Sequence, residues 1–218
     1  MIPPRFLILL LIAAPVTSLP AHAQSTTETK PMSQTSASTT IEADVNAALA
    51  VYDRTRAPDA LRNAADQLVR DDGVVPEDPA AALRQARARL RLWITVLSRF
   101  KRDLDPDFDP ANPPSSRQPA LVINGQEQPP WVEPKDLKEP AERKQAEDQI
   151  AAHNRRVAQF SGMFRLDAVH KTIMARAIDS LRNARDTLGL TAAEITAAVQ
   201  KADIAPRDKT TLSAGVAG

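Results

Sequence analysis

The sequence contains no cysteine among its 218 residues. The chain therefore has no disulfide, no thiol nucleophile and no cysteine to carry a lipid, so burial alone must hold its core together. Aromatic residues make up only 4% of the sequence, and glycine occupies only six positions. No glycine-rich phosphate-binding loop occurs, and the abundance of alanine and leucine favours helices that pack through small side chains.

An excess of charge of one sign is also missing. The 28 basic residues are matched by 27 acidic ones, and removal of residues 1–23, whose only charged residue is Arg5, would leave 27 of each. A nucleic-acid-binding protein, or a protein held on membranes by charge, would show a marked basic excess. The sequence therefore predicts no nucleic-acid partner.

Long apolar runs are confined to the N-terminus. Arg5 precedes the nine-residue apolar run Phe6–Ala14, and Ala21-His22-Ala23 has the small-x-small pattern of a signal cleavage site. The run is shorter than the roughly 20 residues of a membrane span. We expect residues 1–23 to be a cleaved secretory signal, with an uncleaved N-terminal anchor as the alternative. The mature chain would then be a bacterial periplasmic or extracellular protein without a transmembrane segment.

The remaining sequence divides by composition into three parts. Residues 24–38 are rich in serine and threonine, which is typical of a disordered linker. Residues 39–204 carry helical periodicity and form one predicted domain, which opens at the capping box Thr39-Thr40-Ile41-Glu42. Pro206 is expected to end the last helix, so residues 205–218 are predicted to be a disordered tail.

Apolar residues spaced by three and four predict an all-α domain of four or five helices. The longest periodic stretch runs from Pro140 to Leu188, and one continuous helix there would be about 73 Å long. The apolar stripe slips after Phe164, just beyond the helix-weakening pair Ser161-Gly162. We expect one long spine helix, bent or rotated at this pair, with a helical hairpin as the alternative.

Residues 105–133 contain too much proline for a helix and predict a long irregular connection between the third and fourth helices. Asn124-Gly125 follows the apolar run Leu121–Ile123 and predicts a turn with at most a short piece of strand. Trp131 is expected to plug this connection onto the helices, and the alternative is a contact with a partner.

The predicted third helix begins at Asp78-Pro79 and combines an apolar heptad with positive charge. Four leucines recur at intervals of seven: Leu83, Leu90, Leu97 and Leu104. The helix has a net charge of +6 and residues 42–78 have −5, so we expect its arginines to face the acidic N-terminal helices. The alternatives are a helix that binds an anionic surface and a coiled-coil seam through which two copies associate.

Two sets of residues are candidate metal ligands. The first set alternates along one segment: Asp103, Asp105, Asp107 and Asp109. Such carboxylates can bind Ca²⁺, but Phe108 and Pro114 stand where an EF-hand loop needs glycine and glutamate, so a solvated acidic loop, or one that pairs with Arg99 and Arg102, is favoured. The second set is His153 and His170, which are 17 residues apart, or about 25 Å along one helix, and meet only if the chain reverses at Ser161-Gly162. We expect no metal or other cofactor.

The sequence has neither a G-x-S-x-G nor an H-E-x-x-H motif, and no carboxylate stands in an apolar context suited to acid–base work. We therefore expect an exported, non-catalytic helical protein that acts as a binding or scaffold component of the cell envelope. The alternatives are a periplasmic chaperone or adaptor with an exposed apolar groove and, less favoured, a metal-binding or hydrolytic protein. Leu190–Glu194 resembles the LTxxQ motif of small helical periplasmic stress chaperones, but glutamate replaces glutamine and only five residues match, so no function is carried over.

Overall fold

The computed structural model describes residues 35–129 and 132–218. This part of the chain is predominantly helical, which confirms the all-α prediction. The helices are α1 (Thr35–Thr55), α2 (Pro58–Arg70), α3 (Pro79–Asp103), α4 (Pro140–Leu188), α5 (Ala192–Lys201) and α6 (Pro206–Ala217), with 3₁₀ turns at Asp71–Gly73 and Pro134–Asp136. A short hairpin pairs β1 (Val122–Ile123) with β2 (Gln126–Glu127). No helix in these ranges has the length and hydropathy of a membrane span.

The predicted signal at residues 1–23, most of the predicted linker and Trp131 lie outside the described residues. The expectations for the signal and for Trp131 therefore stay predictions.

Several helix ends follow the local signals in the sequence. Asp78 caps α3, because its carboxylate accepts from the backbone N–H groups of Ala80 at 3.1 Å and Ala81 at 3.0 Å. Thr191 and Glu194 form the reciprocal capping box that begins α5. Gly189 ends α4 with a φ of 76°, a left-handed conformation that costs glycine little.

Two boundaries predicted from the sequence were wrong. Helix α1 begins at Thr35, so residues 35–38 are helical and not part of a disordered linker. Residues 206–217 form α6, a sixth helix, where a disordered tail was predicted. Pro206 begins this helix because the first helical position needs no N–H donor. Gly215 then lets α6 lie close to α4, since a Cβ atom there would be 2.8 Å from Cδ1 of Ile178.

One main core joins the first three helices to the C-terminal half of α4 and to α5 and α6. Trp93 and Phe100 of α3 are buried at its centre. The leucine heptad of α3 also belongs to this core: Leu90, Leu97 and Leu104 are at most 6% exposed, and Leu83 packs against the same cluster. The coiled-coil interpretation of this seam is therefore corrected, because the chain's own helices cover it.

The N-terminal half of α4 packs against the proline-rich connection and not against the main core. Ala146 is buried beside Leu121 and Ile123 in a second, small apolar cluster. The Gln149 amide holds the hairpin by accepting from the Val122 N–H at 2.9 Å and donating to the Val122 carbonyl at 2.7 Å. Asn124 and Gly125 both have positive φ, as the predicted tight turn requires.

Helix α4 is a single helix of 49 residues, so the hairpin alternative is wrong. Its buried face changes direction along its length. His153 is buried in the N-terminal half and Leu166 begins the core-facing half. At 100° per residue, these two positions lie about 140° apart around the helix axis. The slip seen in the apolar stripe is therefore a switch between two buried faces, and it falls between Phe160 and Leu166.

We predict that Leu97→Ala lowers the free energy of unfolding by about 2–5 kcal/mol, because truncation of a fully buried leucine removes apolar burial and leaves a cavity. Urea unfolding of the purified domain measures this change. Leu83→Ala on the same helix is the matched control, since Leu83 is only partly buried and should cost less. Equal losses for the two variants would contradict the placement of the seam.

Candidate functional site

The C-terminal end of α3 meets the end of α1 in a network of ion pairs. The Asp53 carboxylate accepts from Arg99 Nη2 at 3.0 Å and from Arg102 Nη2 at 2.9 Å. The Asp103 carboxylate accepts from Arg102 Nη2 at 2.7 Å and from Arg56 Nη1 at 2.9 Å. These contacts confirm that arginines of α3 face the acidic N-terminal helices.

The network sets the protonation of its members. A hydrogen bond from Arg102 is the main cause that lowers the pKa of Asp53. Burial acts to raise the pKa of Asp103, but hydrogen bonds from Arg102 and Tyr52 outweigh it and leave this pKa below its usual range. Burial, followed by the hydrogen bond to Asp103, raises the pKa of Tyr52. Both carboxylates are therefore ionised at neutral pH, while Tyr52 keeps its proton and donates a hydrogen bond to Asp103.

A cavity of about 350 Å³ opens beside this network, and we call it the Gly162 recess. It lies where the α1–α2 turn and the end of α3 approach α4 at the face switch. Its lining combines apolar and charged side chains with one glycine: Tyr52, Arg56, Pro58, Asp103, Gly162, Met163, Arg165 and Leu166. Its volume and mixed lining fall in the range of small-molecule binding sites.

A second cavity, of about 370 Å³, lies between the end of α3 and the start of α6. Phe100 and Leu104 line it together with the buried Asp208. His170 Nε2 lies 3.1 Å from Asp208 Oδ2, and the His170 ring packs 4.8 Å from that of Phe100. This buried pair joins α4 to α6, because each side chain supplies the polar partner that the other needs away from water.

Another buried polar cluster joins α3 to α4. The Trp93 indole N–H donates to Ser180 Oγ at 2.9 Å, and this hydroxyl donates to Asp72 at 2.8 Å. Arg89, which is only 2% exposed, lies 3.1 Å from the same carboxylate. The cluster gives the Trp93 N–H an acceptor and the Arg89 guanidinium a counter-charge inside the core, and it serves packing.

The four alternating aspartates do not converge. Asp103 belongs to the ion-pair network, while Asp105 accepts from the Asp107 backbone N–H at 2.9 Å. Asp109 accepts from the Ala111 backbone N–H at 2.9 Å. The described ranges contain no group of three or more histidine and acidic residues placed to hold a metal, so the calcium hypothesis finds no ligand set. The carboxylates instead satisfy turns of the irregular connection.

His153 and His170 also stay apart, because α4 does not reverse between them. Sequence reasoning had further overlooked that Ser98 and Lys101 have the spacing of an S-x-x-K pair. In the structure, Ser98 Oγ donates to the Thr95 carbonyl at 2.8 Å, and Lys101 is bound to Asp203. A serine nucleophile activated by this lysine is therefore not assembled.

Sequence reasoning missed the two sites that depend on tertiary contacts. Asp208 was assigned to a disordered tail, although Asp208, Leu212 and Val216 are spaced as one buried face of a helix. Gly162 was noted only as a weak point of the helix. No pattern indicated that it lies opposite Tyr52 and Arg56, about 100 residues earlier in the chain.

Comparison with protein-family models, with curated proteins and with solved structures finds no match to this chain. Its class is therefore defined by fold and surface alone, as an all-α protein with one long central helix.

We predict that acidification removes the stability that Asp53 contributes. Its pKa is lowered in the folded protein, so the contribution is present above the unfolded pKa and lost as the pH falls through the folded one, which places the loss below about pH 4. Urea unfolding should show a gap between wild type and Asp53→Asn at neutral pH that closes in acid. Asp59→Asn is the control, since that carboxylate is 82% exposed. A gap that does not change with pH would refute the assignment.

Proposed function

We propose that this chain is an exported, non-catalytic helical protein that acts as a binding or scaffold component of the bacterial cell envelope. The observation that carries the proposal is an arm, which we define as residues 140–165 of α4 together with the parts of the connection that pack on it, namely Phe108, residues 121–128 and residues 134–137. The main core contains no residue of α4 before Met163. Residues 140–162 of the arm therefore extend about 35 Å of helix beyond what the core uses.

Hydrogen bonds between the hairpin and α4 make the arm rigid. The bidentate contact between Gln149 and Val122 fixes the hairpin on the helix, and Asn124 Nδ2 donates to Glu142 at 2.8 Å beside it. Val122 remains 43% exposed and Phe164 51% exposed. A rigid extension that contributes little to the core and presents apolar side chains favours the role of presenting a surface to a protein partner.

Export is supported by the sequence. Residues 1–23 have the basic start, apolar run and cleavage pattern of a secretory signal. The absence of cysteine fits a protein that needs no disulfide in an oxidising compartment.

Site-specific photocrosslinking in the native host tests the proposal. A photoreactive residue at Val122 or Phe164 should yield the same discrete adduct in the envelope fraction, on a protein whose mature N-terminus is Gln24. The control position is Val75, which is 53% exposed and lies outside the arm. Retention of the intact N-terminus in the cytoplasm would contradict export. Equal adducts from Val75 would contradict the arm as the binding surface.

A chaperone or adaptor is the second candidate, favoured by an aromatic cluster on the arm. The Phe108 and Phe160 rings are 5.1 Å apart, the Phe160 and Phe164 rings 6.3 Å apart, and Phe164 is half exposed. An exposed aromatic cluster of this kind can bind apolar segments of an unfolded chain.

For this candidate we predict that the protein slows the aggregation of reduced insulin, measured by light scattering, and that Phe164→Ser removes the effect. Val75→Ser changes a comparably exposed apolar residue outside the aromatic cluster and should keep the effect. Loss of the effect in both variants, or in neither, would exclude the aromatic cluster as the client site.

A further inference from the structure

The charges around the Gly162 recess do not balance. Asp53 and Asp103 are opposed by Arg56, Arg99 and Arg102, which all belong to one network. Arg165 lines the recess as a further cation and forms no ion pair with any described residue. The charged residues of the lining, Arg56, Arg165 and Asp103, therefore carry an excess of one positive charge, and a group that enters the recess meets guanidinium donors.

Asp103 is the one carboxylate in the lining. Its negative charge is compensated by its partners, so it repels an anion less than an unpaired aspartate would. It accepts hydrogen bonds from Arg102 at 2.7 Å and Arg56 at 2.9 Å, and Tyr52 donates to it as well. Arg56 is also held over the Tyr52 ring, with 5.8 Å between its guanidinium carbon and the ring centre. One cation of the recess is thus fixed in advance, which lowers the cost of ordering it around a ligand.

The backbone at Gly162 and Arg56 also favours a bound ligand in the recess. A Cβ atom at Gly162 would meet nothing within 4 Å, so no packing contact explains a glycine in the interior of a long helix. Its missing side chain leaves room for a ligand to approach the helix closely. Arg56 has a φ of 55°, a left-handed conformation that is uncommon for arginine.

The remaining walls are apolar. Pro58, Met163 and Leu166 line the recess beside the charged groups. A simple hydrated ion would leave these surfaces without a partner, whereas a ligand with an apolar body would cover them.

We propose that the Gly162 recess binds a small amphiphilic anion, a carboxylate or phosphate monoester on an apolar body, with its charged group between Arg56 and Arg165. The apolar body lies along Met163 and Leu166 and passes over Gly162. Arg165 binds the anion through charge-assisted hydrogen bonds.

The probes are 3-phenylpropionate and phenyl phosphate, titrated into the full mature chain and followed by amide chemical shifts in NMR. Either anion should bind saturably, with a dissociation constant of about 1 mM or tighter and with shifts centred on Gly162 and Arg165. Whichever probe binds more tightly identifies the charged group. The matched cation 3-phenylpropylamine, and acetate and inorganic phosphate without the ring, should bind at least about tenfold more weakly.

Variants separate the recess from the rest of the surface. Gly162→Leu fills the recess and should abolish binding, yet leucine favours a helix more than glycine does, so the variant folds. Arg165→Gln removes an exposed cation and should weaken binding about tenfold. Ala158→Leu and Arg155→Gln make the same changes at exposed positions of α4 outside the recess and should bind like wild type.

Three results would overturn the proposal. The first is that neither anion shifts the recess residues. The second is that the amine binds as well as the carboxylate. The third is unchanged binding in Gly162→Leu. None of these results affects the photocrosslinking of the arm, so the proposal for the recess and the proposed function can fail separately.

Discussion

The structure depends on one constraint, which is that α4 buries two different faces. Its C-terminal half carries Leu166, Ile173 and Leu181 into the main core, and its N-terminal half buries Ala146 and His153 on another side. A single straight stripe of apolar residues cannot form both buried faces, because the two faces lie about 140° apart around the axis of α4. The hairpin and residues 134–137 of the connection can therefore pack on the arm without competing with α1–α3, and the arm can extend past the core.

The recess follows from the same constraint. Packing on one face ends at the aromatic pair Phe160–Phe164, and packing on the other begins at Met163 and Leu166. Between them, the helix passes the end of α3 with no side chain at Gly162 to fill the gap. The cavity thus lies where a change of packing partner leaves space, and the ion-pair network of α1 and α3 supplies its charge.

Local signals in the sequence predicted most of the fold. Caps at Asp78, Thr191 and Gly189 placed helix ends correctly, and the absence of proline from residues 141–188 correctly favoured one long helix. The failures share a physical origin. A short helix such as α6 is stabilised by burial against α4 more than by its own propensity, so its sequence alone looked like a tail. The contacts of Asp208 and Gly162 join residues far apart in the chain, and no local spacing encodes them.

Carboxylates of the same chain oppose most of the positive charge of α3. Arg99 and Arg102 bind Asp53, and Arg89 lies against Asp72, so these cations of α3 meet carboxylates of other elements. Arg87 binds Glu194 at 2.6 Å and is the main cause that lowers the pKa of that carboxyl to about 2. Selectivity at the recess then comes from a cation on a different helix. Arg165 stands on α4, outside this system of pairs, and its charge is left for a ligand.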